Sequence, residues 1–490
     1  MPNEKLDNLK ARPESAWRWP IWAQPRQMVD LMALSIPIAV SRLAWMLMGL
    51  TDAVVLGQMK PEELPFVLNA WLPIGVLLGF SMGALMGVQV LTAELSGRGE
   101  EDASGRIFRR GLVSALGLAV LFIATAWPTM EAFFNWVFVS LAPPRSAGDL
   151  APDVIVREVT SVTRILLLGL PGFLIGTVCS LYLEALRRPL LVTGVAYFMV
   201  GLNVVLNLAF VAGWWGMPAL GAEGVAWATT LTRTAAILLF AGFVITLTPG
   251  LRRSPPAPAN EGRRQISVGL GTAVSNVAEW GGFNATYVIA LWISAAVNVV
   301  YGFATQVMGA AFMIFLGIAT ATSVRVAEAF GRGDAGAVRE AGRLGVAATL
   351  VCGLAMGAIL WIGRGVISYG LVDPEAVIDG VPIAAALISV FWLVAAATTF
   401  DGLQCTASMA LRAQGVVWLP TSLHIGSFFA LMLPLGYHLG YTLNRGAQGM
   451  LEAALGALFF AGLAQILLLE LKTARTEQVR AVMAKRFQAP

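Results

Sequence analysis

A chain of 490 residues with 57% hydrophobic and 13% charged side chains, at a mean hydropathy of +0.73, has more apolar surface than a soluble core can hide; this excludes a soluble globular fold and indicates a polytopic membrane protein. The net charge of +4 forms no basic stripe, so it reports topology and contact with anionic lipid and gives no basis for a nucleic-acid partner. Cys179, Cys352 and Cys405 all lie in apolar segments, which argues for three buried free thiols, with neither a disulfide framework nor a metal cluster, and no cofactor is expected.

In chain order, residues 1–27 carry Lys5, Lys10, Arg12, Arg18 and Arg26 among Trp17, Trp19 and Trp22, without a short apolar core or a small-residue cleavage site; this reads as an uncleaved cytoplasmic tail suited to the membrane surface. Apolar segments long enough to span a bilayer follow at about 29–57, 66–93, 109–129, 159–183, 190–212 and 221–247. Six more follow at about 266–293, 297–324, 344–363, 382–411, 416–441 and 447–471, so the prediction is an all-α integral membrane protein of twelve transmembrane helices. Basic residues crowd alternate loops: Arg98, Arg106, Arg109 and Arg110, then Arg187 and Arg188, Arg252, Arg253, Arg263 and Arg264, and Arg332, Arg339 and Arg343. Lys472, Arg475, Arg480, Lys485 and Arg486 share their side, whereas opposite loops hold Glu62, Glu63, Asp373, Glu375 and Asp379. By the positive-inside rule both termini are cytoplasmic, in a multi-pass protein of the plasma (inner) membrane.

The Pro- and Arg-rich segment 248–265 reads as a linker between a six-helix lobe at 28–247 and another at 266–471, with a cytoplasmic tail at 472–490. The halves repeat one another. GRGE at 97–100 and GRGD at 331–334 are 234 residues apart, as are Ala39 and Ala273, Gly75 and Gly309, and Gly83 and Gly317; EALRR at 184–188 and MALRA at 409–413 keep an offset of 225. An even number of helices per repeat makes the two lobes parallel, related by a pseudo-twofold axis along the membrane normal, with a site expected between them. Gly75, Gly79, Gly83 and Gly87 form a ridge that lets a second backbone approach, a packing device without chemistry.

The seventh segment carries Glu279 near its middle. A charged carboxylate at that depth costs on the order of 2.5–3.5 kcal/mol, so it is normally turned to a bundle interior or water-filled cavity and marks function. The plain alternative is an acid bonded to Asn276 or Asn284 for packing. Arg42 lies at similar depth in the first segment and mirrors Asn276 by the 234-residue offset. It either faces a cavity between the lobes, balancing a carboxylate or selecting among cationic substrates, or it satisfies itself on a carbonyl.

MGLTDAVVLGQM at 48–59, LTAELSGRGEEDASGRIFRRGL at 91–112, LEALRRP at 183–189, GLNVVLNLAFVAG at 201–213, GIATATSVRVAEAFGRGD at 317–334 and FDGLQCTASMALRAQG at 400–415 together resemble the multidrug and toxic compound extrusion (MATE) family, in its bacterial drug-efflux branch, over Met28 to Leu471. The resemblance implies that Glu279 and Asp401 bind the coupling cation in the C-terminal lobe, as metal ligands if that cation is Na+, with Asp52 contributing in the N-terminal lobe. Asn203, Asn207, Arg42, Asn276, Gln306 and Gln404 are candidates for lining the substrate cavity. The chain departs from many relatives in bearing Asn207 in place of an aspartate, which shifts coupling toward Glu279 and Asp401.

The implied activity is a secondary antiporter exporting amphipathic, cationic organic compounds in exchange for H+ or Na+, acting as a monomer through a rocker-switch. Desolvation penalises a charged acid, so a mid-membrane carboxylate readily loads a proton or cation and then lets a cationic cargo go. A flippase for lipid-linked saccharides, with Arg42 as anion contact, is the alternative within the same superfamily. A membrane enzyme using Glu279 and Asp401 is disfavoured, because the chain lacks HExxH, GxSxG and Walker A patterns, and His424 and His438 read as packed or interfacial.

Overall fold

The computed structural model describes residues 25–140 and 151–487, so most of the N-terminal tail lies outside the described residues. The first lobe contains α1 (Pro25–Met59), α2 (Leu64–Ala84), α3 (Met86–Gly97), α4 (Ser104–Asn135), α5 (Pro152–Leu168), α6 (Leu170–Ala185), α7 (Pro189–Phe210) and α8 (Ala222–Leu247). Only a one-residue break at Leu85 separates α2 from α3, and the two make one span of 34 residues. Helices α5 and α6 form a span bent by 42° at Gly169, where Pro171 begins the second piece without needing its backbone N–H.

The second lobe contains α9 (Glu261–Ile293), α10 (Ala295–Arg332), α11 (Ala335–Ile362), α12 (Arg364–Leu371), α13 (Ile383–Ala413), α14 (Trp418–Ile425), α15 (Leu433–Gly436) and α16 (Gly446–Phe487). Wide π-type turns join α14 and α15 into one span, and a two-stranded hairpin of β1 (Val377–Ile378) and β2 (Val381–Pro382) precedes α13. Local chemistry sets the ends. Ser294 Oγ accepts the Val297 N–H at the start of α10, Asp334 caps α11 through the Ala337 N–H, and Gly333 ends α10 at φ +76°. Gly99, 234 residues earlier, has φ +75°, so the GRGE and GRGD turns are alike in backbone as well as sequence.

Among the described residues ten helices are long and apolar enough to cross a membrane, and the bent α5–α6 pair makes eleven. The twelfth expected span is α9, whose 33 residues reach about 50 Å at 1.5 Å each but whose apolarity is diluted by Asn276, Glu279 and Asn284. Its first turn, from Glu261, is cut from what reads as linker in the sequence. Arg106 holds Glu261 at 2.6 Å and Arg110 bonds its other oxygen, fixing α9 to α4.

The lobes meet through glycine crossings that obey the repeat. A side-chain carbon on Gly83 would lie 2.5 Å from the Ala273 backbone, and one on Gly317 would lie 2.8 Å from the Ala39 backbone; both pairs are related by 234 residues. Gly97 abuts the Glu328 backbone and Gly331 the Glu94 backbone in the same relation. Of the four-glycine ridge, Gly83 and Gly87 meet backbone, Gly79 faces the Trp280 ring, and Gly75 has nothing within 4 Å. Ion pairs to the repeat-related acids Glu94 and Glu328 bridge the lobes at the basic face: Arg264 to Glu94 at 2.6 Å and Arg187 to Glu328 at 2.6 Å.

Toward the opposite face these backbone crossings stop. A side-chain carbon on Gly75 or on Gly309, each about two turns beyond the outermost backbone crossings, would meet nothing within 4 Å. The start of α1 and the end of the last span both lie at the basic face, where Arg325 donates to the Gln27 carbonyl at 2.6 Å and Arg343 holds Glu470 at 2.7 Å.

Candidate functional site

In the second lobe Asp401 and Gln404, three residues apart, share one face of α13. From Gly402 to Ala413 this helix is buried on every side, so Asp401 has no outlet to lipid. Gln404 Nε2 donates to Glu279 Oε1 at 3.0 Å and to Asp401 Oδ1 at 3.1 Å, drawing the two acids together across α9 and α13. Glu279 is half-buried and is the open member of the trio. Neither asparagine of α9 neutralises it: Asn276 donates to the Gly79 carbonyl of α2 and Asn284 to its own helix at Trp280.

Gln404 Oε1 is buried without a donor. The two carboxylates, drawn together by one amide N–H group, form an all-oxygen pair suited to a proton or a hard monovalent cation. Two negative charges this close in a low dielectric repel, and one cation between them relieves the repulsion. No cluster of three or more His, Cys, Asp or Glu fit for a metal occurs among the described residues.

Below the acids, toward the basic face, Arg412 of α13 donates to Ser275 Oγ at 2.6 Å and acts electrostatically on Glu279. His424 is buried against Phe428, near Arg412, with both ring nitrogens unpaired. In sequence Arg412 gives no signal of this contact, because MALRA at 409–413 looks like the end of a span. The histidine is packed, as expected, yet it adjoins the acid cluster's neighbour.

In the first lobe Asp52 is 3% exposed and fully bonded: Asn207 Nδ2 donates to Oδ1 at 2.6 Å and Thr229 Oγ1 to Oδ2 at 3.0 Å. Asn203 and Asn207, one turn apart on α7, are joined at 3.1 Å, and Thr51 donates to Asn203 at 3.3 Å. The expected face of α7 therefore exists, but it closes on Asp52 within its own lobe. The candidates thus fall into two clusters, one inside each lobe, in place of a single group between them.

Arg42 is corrected as a cavity residue. Its Nη2 donates to both oxygens of Glu184 at 2.9 and 3.1 Å, Gln89 supports the same carboxylate at 3.2 Å, and the arginine is 5% exposed. It does balance a carboxylate, but that carboxylate is its own structural partner. Asn276 bridges α9 to α2, and Gln306 is exposed on α10 apart from both clusters. Glu184 and Arg233 are two further buried charges inside the spans. A lone arginine inside the apolar run 221–247 was the available signal for Arg233.

The MatE family model matches residues 37–209 and 272–438, more than half of the chain. A "Probable multidrug resistance protein NorM" of Caulobacter vibrioides is 32% identical over 438 residues, covering 89% of each chain. "Multidrug resistance protein PmpM" of Pseudomonas aeruginosa is 28% identical, covering 85% of this chain and 84% of its own. A solved structure described as the "Outward-facing conformation of a multidrug resistance MATE family transporter of the MOP superfamily" superposes with a TM-score of 0.80 over 92% of this chain and 96% of that one, at 18% identity, a likeness of fold alone.

Proposed function

The chain belongs to the MatE family, and from that premise we propose that it is a cation-coupled exporter of amphipathic, positively charged organic compounds. It takes up H+ or Na+ at Glu279 and Asp401 while the cargo leaves. The observation that carries this reading is the Gln404 bridge, which holds two membrane-embedded acids within reach of one cation. Loading that cation removes the negative charge that retains a cationic cargo, so ion and cargo displace one another.

One charge moving down 100 mV supplies about 2.3 kcal/mol, less than the roughly 4 kcal/mol of a thousandfold cargo gradient. An exchange of one ion for one singly charged cargo gains nothing from the voltage and draws on the ion gradient itself. Alternating access follows from rocking of the lobes. The basic face is cytoplasmic on this reading, the membrane is the inner membrane, and the outward-splayed arrangement is the one in which the coupling ion enters. The flippase alternative loses its support, since Arg42 is occupied by Glu184.

The test is dye efflux from proteoliposomes with pH and sodium gradients imposed separately, comparing wild type with Glu279→Gln and Asp401→Asn. Both variants are expected to lose gradient-driven accumulation while keeping cargo exchange in the absence of a gradient. Undiminished uphill transport in both would remove the acids from coupling.

A further inference from the structure

Arg233 of α8 sits inside the first lobe with 4% of its surface exposed, and its Nε and Nη1 have no hydrogen-bond partner. Its guanidinium carbon lies 5.4 Å from the Trp71 ring centroid and 5.2 Å from that of Phe173. The nearest acid that acts on it, Asp52, has both oxygens taken by Asn207 and Thr229. The other two buried arginines are served differently: Arg42 has Glu184, and Arg412 has Ser275. A guanidinium cannot shed its proton, and a buried charge normally has a bonded counter-charge. Arg233 lacks one.

The same side chain forms a wall of a cavity of about 40 Å³ shared with Trp45, Phe173, Ser180, Met199 and Phe240. One water needs roughly 10–15 Å³ on this measure, so the space takes a compact group of a few heavy atoms and excludes a saccharide diphosphate. Trp45 and Met199 are half-buried, so the cavity is not sealed. We infer that Arg233 and this cavity form a binding site for a compact monovalent anion, either a free halide or the carboxylate of a transported amphipath. The planar fork would meet a carboxylate edge-on, the rings would hold the fork from behind, and the Ser180 hydroxyl supplies a further donor. Neither the coupling acids nor the family assignment requires such a site.

The test uses the purified full chain in detergent, with no gradient, so it is independent of the coupling reading. Thermal unfolding is followed at constant ionic strength with gluconate replaced by chloride or by benzoate. In wild type the Tm is expected to rise with at least one of the two. Arg233→Gln is expected to abolish the rise, as is Ser180→Val, which narrows the cavity and leaves the guanidinium in place, whereas Arg233→Lys keeps part of it. A rise with chloride alone assigns a free halide, and one with benzoate alone assigns a carboxylate. Transport of a carboxylate-bearing dye against its methyl ester then tells whether the cargo supplies it; this arm rests on the exporter reading, which is checked in the same vesicles by efflux of a permanently cationic dye. No anion dependence in wild type, or the same dependence in wild type and Arg233→Gln, means a water-filled cavity only and overturns the site.

Discussion

Among the described residues three arginines are buried, and each shows how far depth alone can be read from sequence. Arg42 stood out because it interrupts an apolar run, yet its partner Glu184 did not, since EALRR resembles the edge of a loop. Helical spacing tells which residues share a face; it does not tell which face of which other helix they meet. For the same reason Gln404 could be paired with Asp401 by their three-residue spacing, whereas its second bond, to Glu279, is a tertiary fact. The Arg42–Glu184 pair also makes a stability prediction. Removing one partner leaves the other charged and buried, which costs about 3–5 kcal/mol, while replacing both with apolar residues of similar volume is close to neutral. Arg42→Met and Glu184→Leu alone should therefore lower the unfolding temperature in detergent sharply, and the double variant should recover most of it. Equal melting of all four proteins would show that the pair is not formed.

At the level of helices, the repeat and the spans were legible, α9 included, although apolarity alone does not pick α9 out. Its polar residues, which put it below the apolarity of the other spans, are the ones that tie it to α2 and α13, so site chemistry and a clean hydropathy signal exclude each other there. The glycine ridge on α2 was readable as a packing feature, but not the position at which packing stops. That boundary can be tested. A methyl group at Gly83 or Gly317 would collide with backbone, an overpacking worth about 1–3 kcal/mol. Gly75 and Gly309 have open space. Gly83→Ala and Gly317→Ala should each destabilise the protein by similar amounts, and Gly75→Ala and Gly309→Ala should be silent in thermal unfolding; a uniform response across the four would contradict the crossing geometry.

For the molecule as a whole, the duplicated halves have diverged in chemistry while keeping their contacts. The second holds two acids with a free amide oxygen, and the first holds one satisfied acid and an unsatisfied arginine. Their seam is latched at the basic face by the Arg264–Glu94 and Arg187–Glu328 pairs. At about 1 kcal/mol each, loss of both should shift the balance between the splayed and opposite arrangements by roughly 30-fold. Spin labels on Leu68 and Leu291, exposed near the outer ends of α2 and α9, would report it as a shorter distance in Glu94→Gln with Glu328→Gln. An unchanged distance distribution would show that these pairs do not hold the seam. The outermost backbone crossings also fix a fulcrum. Two touching points at matching depth define a line, and a body bearing on a line tips without sliding. On α10, Gly317 stands about 33 Å from the outer tip and about 17 Å from Glu328 of the latch at 1.5 Å per residue, unequal lever arms, so a given tilt sweeps the mouth roughly twice as far as it parts the latch.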